Sequence, residues 1–322
     1  MTVSWGLLST ARINDEILAA ARETDAAAVV AVASRDRDRA EASAREHGIE
    51  RAHGSYEALL ADPGVEAVYV SLPNGMHVEW STRALEAGKH VLVEKPLSRR
   101  RHEVEKLFDL AASKQLVLSE GFMWRHHPQT AKLVELVETG TIGRLRLVRA
   151  GFSFMLDDPS DVRLSAALDG GALMDLGCYC LSALRLLAGE PLRLSGEQTL
   201  GPTGVDVSFV GTAAFEHEIM GHFDCSFVLP RRSELEVAGE AGVLFLSDPW
   251  TIRTPGIEIR REGAEPERVA VPRVSSYRLE LENVSAAIRG EAPLLLGRDD
   301  AVGQARAIET LYRSAESAAG VG

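Results

Sequence analysis

Ser9, Thr10, Ala11, Arg12 and Ile13 stand where an apolar run, "VSWGLL", gives way to the helical pattern "NDEILAAARET". A strand that runs into a helix start offers backbone N–H groups and the positive end of the helix dipole. Together these can hold a phosphate whatever the side chains are. A dinucleotide fingerprint, G-x-G-x-x-G, would put glycine at Ser9, Ala11 and Asn14, and all three are replaced. Ser and Ala still allow a pyrophosphate to approach. Two readings stay open: a phosphate loop built on backbone donors, and an ordinary strand-to-helix turn.

A second group lies roughly twenty residues further on, the distance at which nucleotide-binding sheets place a ribose-reading side chain. In "VASRDRDRA" the strand ends in Ser34 and Arg35, where a carboxylate would be expected to accept the ribose hydroxyls of NAD. Serine and arginine are donors suited to a 2′-phosphate, so NADP is favoured over NAD, with NAD still possible. Asp36 precedes a helical pattern and reads as its N-cap rather than as the missing acid.

These residues need a sheet to position them. "VSWGLL", "AAVVAVAS", "EAVYVSLP", "KHVLVEKP" and "QLVLSEGF" are strand-like runs buried on both faces, and they alternate with helical patterns, several closed by glycines such as Gly48 and Gly88. The alternation predicts a doubly wound parallel sheet over residues 1–122, with ligands at the carboxyl ends of its strands. From 123 to 322 the pattern changes. After a helix near 128–140, runs such as "GRLRLVRAGFSF", "VDVSFVGTAAF", "SELEVAG" and "GVLFLSD" alternate polar and apolar residues with turns between them. This predicts an α+β second domain with a large, mostly antiparallel sheet. Helical patterns follow at about 276–289 and 299–318, and the last is expected to be able to pack back on the first domain. A sheet buried on one side only leaves a face for a second subunit, so a homodimer or homotetramer is expected through it.

The segment "YVSLPNGMHVEWSTRALEAGKHVLVEKPL" puts Pro73-Asn74 and Glu94-Lys95-Pro96 just after two of the strands, and "GGALMDLGCYC" opens a helix at 170–180. In these features the chain resembles the glucose–fructose oxidoreductase, inositol dehydrogenase and rhizopine-catabolism (Gfo/Idh/MocA) family, whose hallmark is the Glu-Lys-Pro triplet. The resemblance implies cofactor contacts from Leu72, Pro73, Asn74, His77, Glu94 and Lys95. It also implies a catalytic acid or base on the helix after the glycines. Where many members have histidine, this chain has Tyr179, like the branch that includes trans-dihydrodiol dehydrogenase and NADP-dependent xylose dehydrogenase. Asp175 and Tyr179 are four residues apart and would share a helix face.

The implied chemistry moves a hydride between the nicotinamide and a ring carbinol of a sugar or cyclic polyol. Tyrosine at its free pKa of about 10 is a poor base, and a nearby ammonium, Lys95, would stabilise its phenolate. Asp175 would orient the substrate through an adjacent hydroxyl. Trp124, Arg125, His126 and His127 in "EGFMWRHHPQ" are candidates for substrate contact, Trp124 by stacking on a sugar ring. Competing readings are a structural Tyr179 and a Lys95 that only pairs with Glu94. At the level of the whole protein they are a nucleotide-linked keto-sugar reductase, a trans-dihydrodiol dehydrogenase, and a non-catalytic NADP-sensing regulator.

Composition narrows the field. The net charge of −12, with no basic block longer than Arg99–Arg101, argues against nucleic acid as a partner. No apolar run is expected to be long enough for a membrane span. The N-terminus lacks the basic, apolar and cleavage-site pattern of a secretory leader, so cytoplasmic residence is the expectation. Cys178, Cys180 and Cys225 are expected as reduced, buried thiols, and no metal site is expected.

Overall fold

The computed structural model describes residues 1–319, which form two compact units. The first comprises Met1–Met123 and Ser275–Val302. Its strands are β1 (Val3–Leu7), β2 (Ala27–Ala33), β3 (Arg51–His53), β4 (Ala67–Val70), β5 (His90–Glu94) and β6 (Leu118–Gly121). They form one parallel sheet in the order β3-β2-β1-β4-β5-β6. The order reverses direction between β1 and β4, and at such a switch point the loops leaving the strands diverge and open a crevice. The short β3 was not foreseen, because "RAH" is too brief to show periodicity. Between the strands lie α1 (Asn14–Arg22), α2 (Arg37–His47), α3 (Tyr56–Leu60), α4 (His77–Glu86) and α5 (Arg101–Ser113). Asp36 caps α2, its carboxylate accepting from the backbone N–H groups of Asp38 and Arg39 at 2.9 and 3.2 Å. Gly48 ends the helix at φ +71°, where an L side chain would be strained.

The second unit comprises Trp124–Val274 and the chain from Gly303 onward. It begins with α6 (Pro128–Glu138) and β7 (Leu145–Ser153), and then a π-helical turn, Leu173–Gly177, leads directly into α7 (Cys178–Ala188). The remaining strands are β8 (Arg193–Leu200), β9 (Asp206–Ala214), β10 (Met220–Ser226), β11 (Arg232–Gly239), β12 (Gly242–Leu246), β13 (Ile257–Arg260) and β14 (Glu267–Val269). The sheet order is β14-β13-β12-β11-β7-β10-β9-β8, antiparallel throughout except for the β7–β10 pair. The strands β13 and β14 were not foreseen; β13 alternates in "IEIR" but is only four residues long, and β14 only three. α7 packs on the inner face, beside Val148, Ala150 and Phe152 of β7, while Arg149, Val210, Thr212 and Met220 on the outer face are exposed.

The two late helices divide differently from the expectation of a simple break after residue 122. α8 (Ser276–Ile288) belongs to the first unit: it packs against α1, and Leu281 and Val284 enter the core under the parallel sheet. There the Trp5 indole donates to the Ser285 hydroxyl at 3.2 Å. α9 (Arg298–Ala319) belongs from Gly303 onward to the second unit, where Gln304 donates to the Cys178 carbonyl and Tyr312 to Asp206. A second correction concerns membranes. The stretch Ala166–Ala188 is long and apolar enough to cross one by length and composition, but most of it is buried, and it runs through a 3-10 turn, the paired glycines and the π-turn before α7.

Asp36→Ala should destabilise the first unit by about 1 kcal/mol, since it orphans two backbone donors at the start of α2. Asp36→Asn should be close to neutral, and chemical denaturation of both variants checks the difference.

Candidate cofactor-binding and catalytic residues

The glycine-poor first turn is held by a buried polar network. The Ser9 hydroxyl contacts the Ser71 hydroxyl at 2.8 Å and accepts from the Ala11 N–H at 3.0 Å. The Asn14 amide donates to the Ser9 carbonyl at 2.8 Å and accepts from Ser71 at 2.7 Å. Ser9 and Asn14 thus face inward and stitch the turn to the end of β4. Ile13 also turns inward, against the apolar core. Thr10, Ala11 and Arg12, with Asn14 and Asp15, line a cavity of about 380 Å³ together with Arg39, Ser43, Glu46 and His47 of α2. Arg39 was missed in the sequence, although it follows Arg35 at helical spacing. Ser34 is buried, and its hydroxyl accepts from the Asp36 N–H, while Arg35 is exposed.

The turn after β5 is braced from three elements. The Tyr69 hydroxyl of β4 donates to the Glu94 carboxylate. Glu120 of β6 accepts from the Leu97 N–H at 2.8 Å. His77 of α4 has its Nδ1 2.9 Å from the Pro96 carbonyl and its Nε2 2.7 Å from the Leu72 carbonyl. His77 thus lies between Leu72-Pro73-Asn74 and Glu94-Lys95-Pro96, which has a cis Lys95–Pro96 bond, and its neutral ring, with one N–H, donates to one of the two carbonyls. His77, expected to touch cofactor, is fully buried and acts as a brace between these turns. Burial pushes its pKa down to about 4, with the Lys95 charge adding to the shift and the two carbonyls opposing it. Beneath lies Glu280 of α8, whose pKa is raised by burial and by the nearby Glu94 charge.

In the second unit the paired glycines before the π-turn have specific neighbours. A Cβ at Gly170 would overlap the Arg163 carbonyl. One at Gly171, which has φ +128°, would overlap the Asp206 carboxylate. Asp206 accepts from the Leu173 N–H at 2.7 Å and from the Tyr312 hydroxyl at 2.8 Å, and so caps the start of the π-turn. Burial raises its pKa to about 6 against the pull of these bonds. Asp175 lies within the π-turn and Tyr179 in the first turn of α7. Asp175 accepts from Arg163 Nε at 2.8 Å. Tyr179 is 9% exposed and packs edge-on against Phe152 at 5.7 Å, with Trp250 at 6.0 Å. These two aromatic neighbours were not singled out in the sequence; only the aromatic strand end "FSF" pointed toward one of them.

The "WRHHP" segment is more structural than expected. Trp124 is 1% exposed and packs edge-on against Trp250 at 5.5 Å, so its ring belongs to the core rather than to a sugar platform. His127 is the N-cap of α6, its Nδ1 accepting from the Gln129 N–H at 3.0 Å. Arg125 donates to the Ser182 hydroxyl at 3.3 Å and lies over the Trp124 ring. Burial lowers the pKa of His126 to about 4, and the Arg125 charge adds to that shift. Cys178, Cys180 and Cys225 are free and buried. Among the described residues no group of three or more His, Cys, Asp or Glu side chains could hold a metal ion.

Residues 4–122 match a family model described as "Oxidoreductase family, NAD-binding Rossmann fold", and residues 130–245 match the "GFO/IDH/MocA C-terminal domain". An uncharacterized oxidoreductase, ORF334, of Rhizobium meliloti is 36% identical over 98% of this chain and 97% of its own. The chain belongs to the Gfo/Idh/MocA oxidoreductase family. It is also similar to D-xylose 1-dehydrogenase (NADP(+)) 2 of Haloferax volcanii, at 37% identity over 98% of each chain. Among solved structures it is similar to a 3-ketoreductase from Actinomadura kijaniata in complex with NADP and TDP-benzene, with a TM-score of 0.92 and 30% identity over 98% of each chain.

His77 and His126 shift in one direction and Asp206 in the other, so they give opposite pH signatures, and a His77 variant removes only the His77 share. His77 is neutral when folded but takes a proton when unfolded, so its contribution is full above pH 6.5 and falls as pH drops toward 4. The loss amounts to roughly 3 kcal/mol, and His77→Gln should remove it. Asp206 is harder to ionise folded than unfolded, so its contribution is full below pH 3.8 and falls as pH rises through 6. Asp206→Asn should flatten that segment. Denaturant titrations at stepped pH from 3.5 to 7.5 read both.

Proposed function

We propose that the chain is an NADP-dependent oxidoreductase that interconverts a ring carbinol and the corresponding ketone or lactone of a free sugar or cyclic polyol. The observation that carries this reading is the bracing of the Lys95 turn by Tyr69, His77 and Glu120, which holds one lysine in a fixed place at the carboxyl end of β5. A bound nicotinamide supplies the hydride acceptor or donor. Tyr179 takes the carbinol proton in the oxidative direction and returns it in the reductive one, and the Lys95 ammonium favours its phenolate. Asp175 accepts from a neighbouring substrate hydroxyl. Thr10, Ala11 and Arg12 hold the pyrophosphate, while Arg35 and Arg39 supply positive charge for a 2′-phosphate. The outer face of the second sheet, which exposes Val210 and Met220, is offered as the contact with a second copy.

Reduction of a nucleotide-linked keto-sugar is the second reading, favoured by the likeness to the A. kijaniata 3-ketoreductase. A panel of free aldoses, polyols and nucleotide sugars, each with NADP and NAD and followed by nicotinamide absorbance, separates the two. Free aldoses with NADP are expected to turn over. Tyr179→Phe and Lys95→Ala should each lower kcat by about 10²-fold or more, with cofactor affinity little changed in Tyr179→Phe. Near-full activity in Tyr179→Phe would remove the tyrosine from its role.

A further inference from the structure

The loop between β7 and the π-turn carries a guanidinium that plays no part in the chemistry described so far. Arg163 donates from Nε to Asp175 at 2.8 Å and from Nη1 to the two oxygens of Asp161 at 3.3 and 3.2 Å. Its Nη2 makes no hydrogen bond among the described residues. The side chain is 38% exposed and that of Asp175 is 16% exposed, so both reach solvent. The backbone beneath is fixed. The Arg163 carbonyl accepts from the Gly171 N–H at 2.9 Å, and Asp161 accepts from the Arg163 N–H at 2.9 Å. Gly170 leaves room for that carbonyl, where any larger residue would push the loop away. The residue pair before the catalytic segment thus sets where the guanidinium stands relative to Asp175.

We infer that Arg163 and Asp175 together form a subsite for a neutral vicinal diol. The Nη2 donor serves one hydroxyl oxygen, and the Asp175 carboxylate accepts from the hydroxyl on the adjacent carbon. A donor and an acceptor held side by side match the two polar roles a diol presents, and the planar fork of arginine fixes their relative direction. Arg163 is then a specificity-determining residue, and Gly170 its positioning residue. This subsite rests on the reading that Tyr179 serves a sugar carbinol.

The test compares kcat/KM for the best free aldose of the panel with its singly deoxygenated analogues, in the wild-type enzyme, Arg163→Leu, Arg163→Lys, Asp175→Asn and the Arg163→Leu/Asp175→Asn double variant. Removing the hydroxyl that Arg163 reads should cost the wild type about tenfold or more, mainly in KM, because a site built for a hydroxyl is left unpaired. Arg163→Leu should show that loss on the parent aldose and almost none on the deoxy analogue, and its effect should be non-additive with Asp175→Asn. Arg163→Lys, which keeps the charge without the fork, should recover only part of the discrimination and serves if the leucine variant does not fold. Full discrimination in Arg163→Leu, or an equal loss on the parent and deoxy sugars, overturns the subsite alone. A wild-type enzyme inactive on the whole panel overturns the proposed function, and the subsite with it.

Discussion

Holding one lysine in a fixed place at the end of a buried strand needs braces from outside its own turn. The turn after β5 has three, from three different elements: a phenol, an imidazole and a carboxylate. Loss of a partner from such a buried group costs about 1–3 kcal/mol, so each brace matters. The same need explains why Tyr69 and His77, polar groups at fully buried positions, are found in an otherwise apolar layer. They stand between Leu72-Pro73-Asn74 and Glu94-Lys95-Pro96 at the sheet's carboxyl edge.

The second unit solves a related problem with a different device. The segment that carries Asp175 and Tyr179 begins in a π-turn, a geometry that is rare and leaves backbone groups needing partners. Asp206 and the two glycines answer that need. The carboxylate caps the turn, and Gly170 and Gly171 let the Arg163 carbonyl and the carboxylate itself approach the backbone. Tyr179 then emerges among Phe152 and Trp250, an apolar surround with few ways to rotate. The ring is placed by packing, whereas Asp175 is placed by an ion pair.

Much of this was legible from residues alone. The strand runs of the first unit were clear because strands buried on both faces show unbroken apolar runs, and Asp36 was clear because capping is local. The Glu-Lys-Pro triplet and "GGALMDLGCYC" carried the family. Long-range partners were not legible. Nothing near His77 announces that its ring reaches Pro96, and nothing in "WRHHP" shows that Trp124 and His127 turn into the core. The amphipathic period of α8 and α9 gives each helix an apolar face but cannot say which sheet that face covers. Arg163 escaped notice for the same reason, since its partner is Asp175, twelve residues away across a turn with no periodic pattern.

The first turn has a consequence of its own. Glycine-rich phosphate loops gain close approach from a flexible backbone, and that freedom must be frozen when ligand arrives. Here Ser9, Asn14 and Ser71 fix the backbone through hydrogen bonds within the protein. Such a loop is preorganised. It gives up the adaptability that would let it accommodate cofactors of different phosphate geometry, and in return it loses little conformational entropy on binding. Specificity at this end of the molecule is thus written in the rigidity of the backbone as well as in the charges around it.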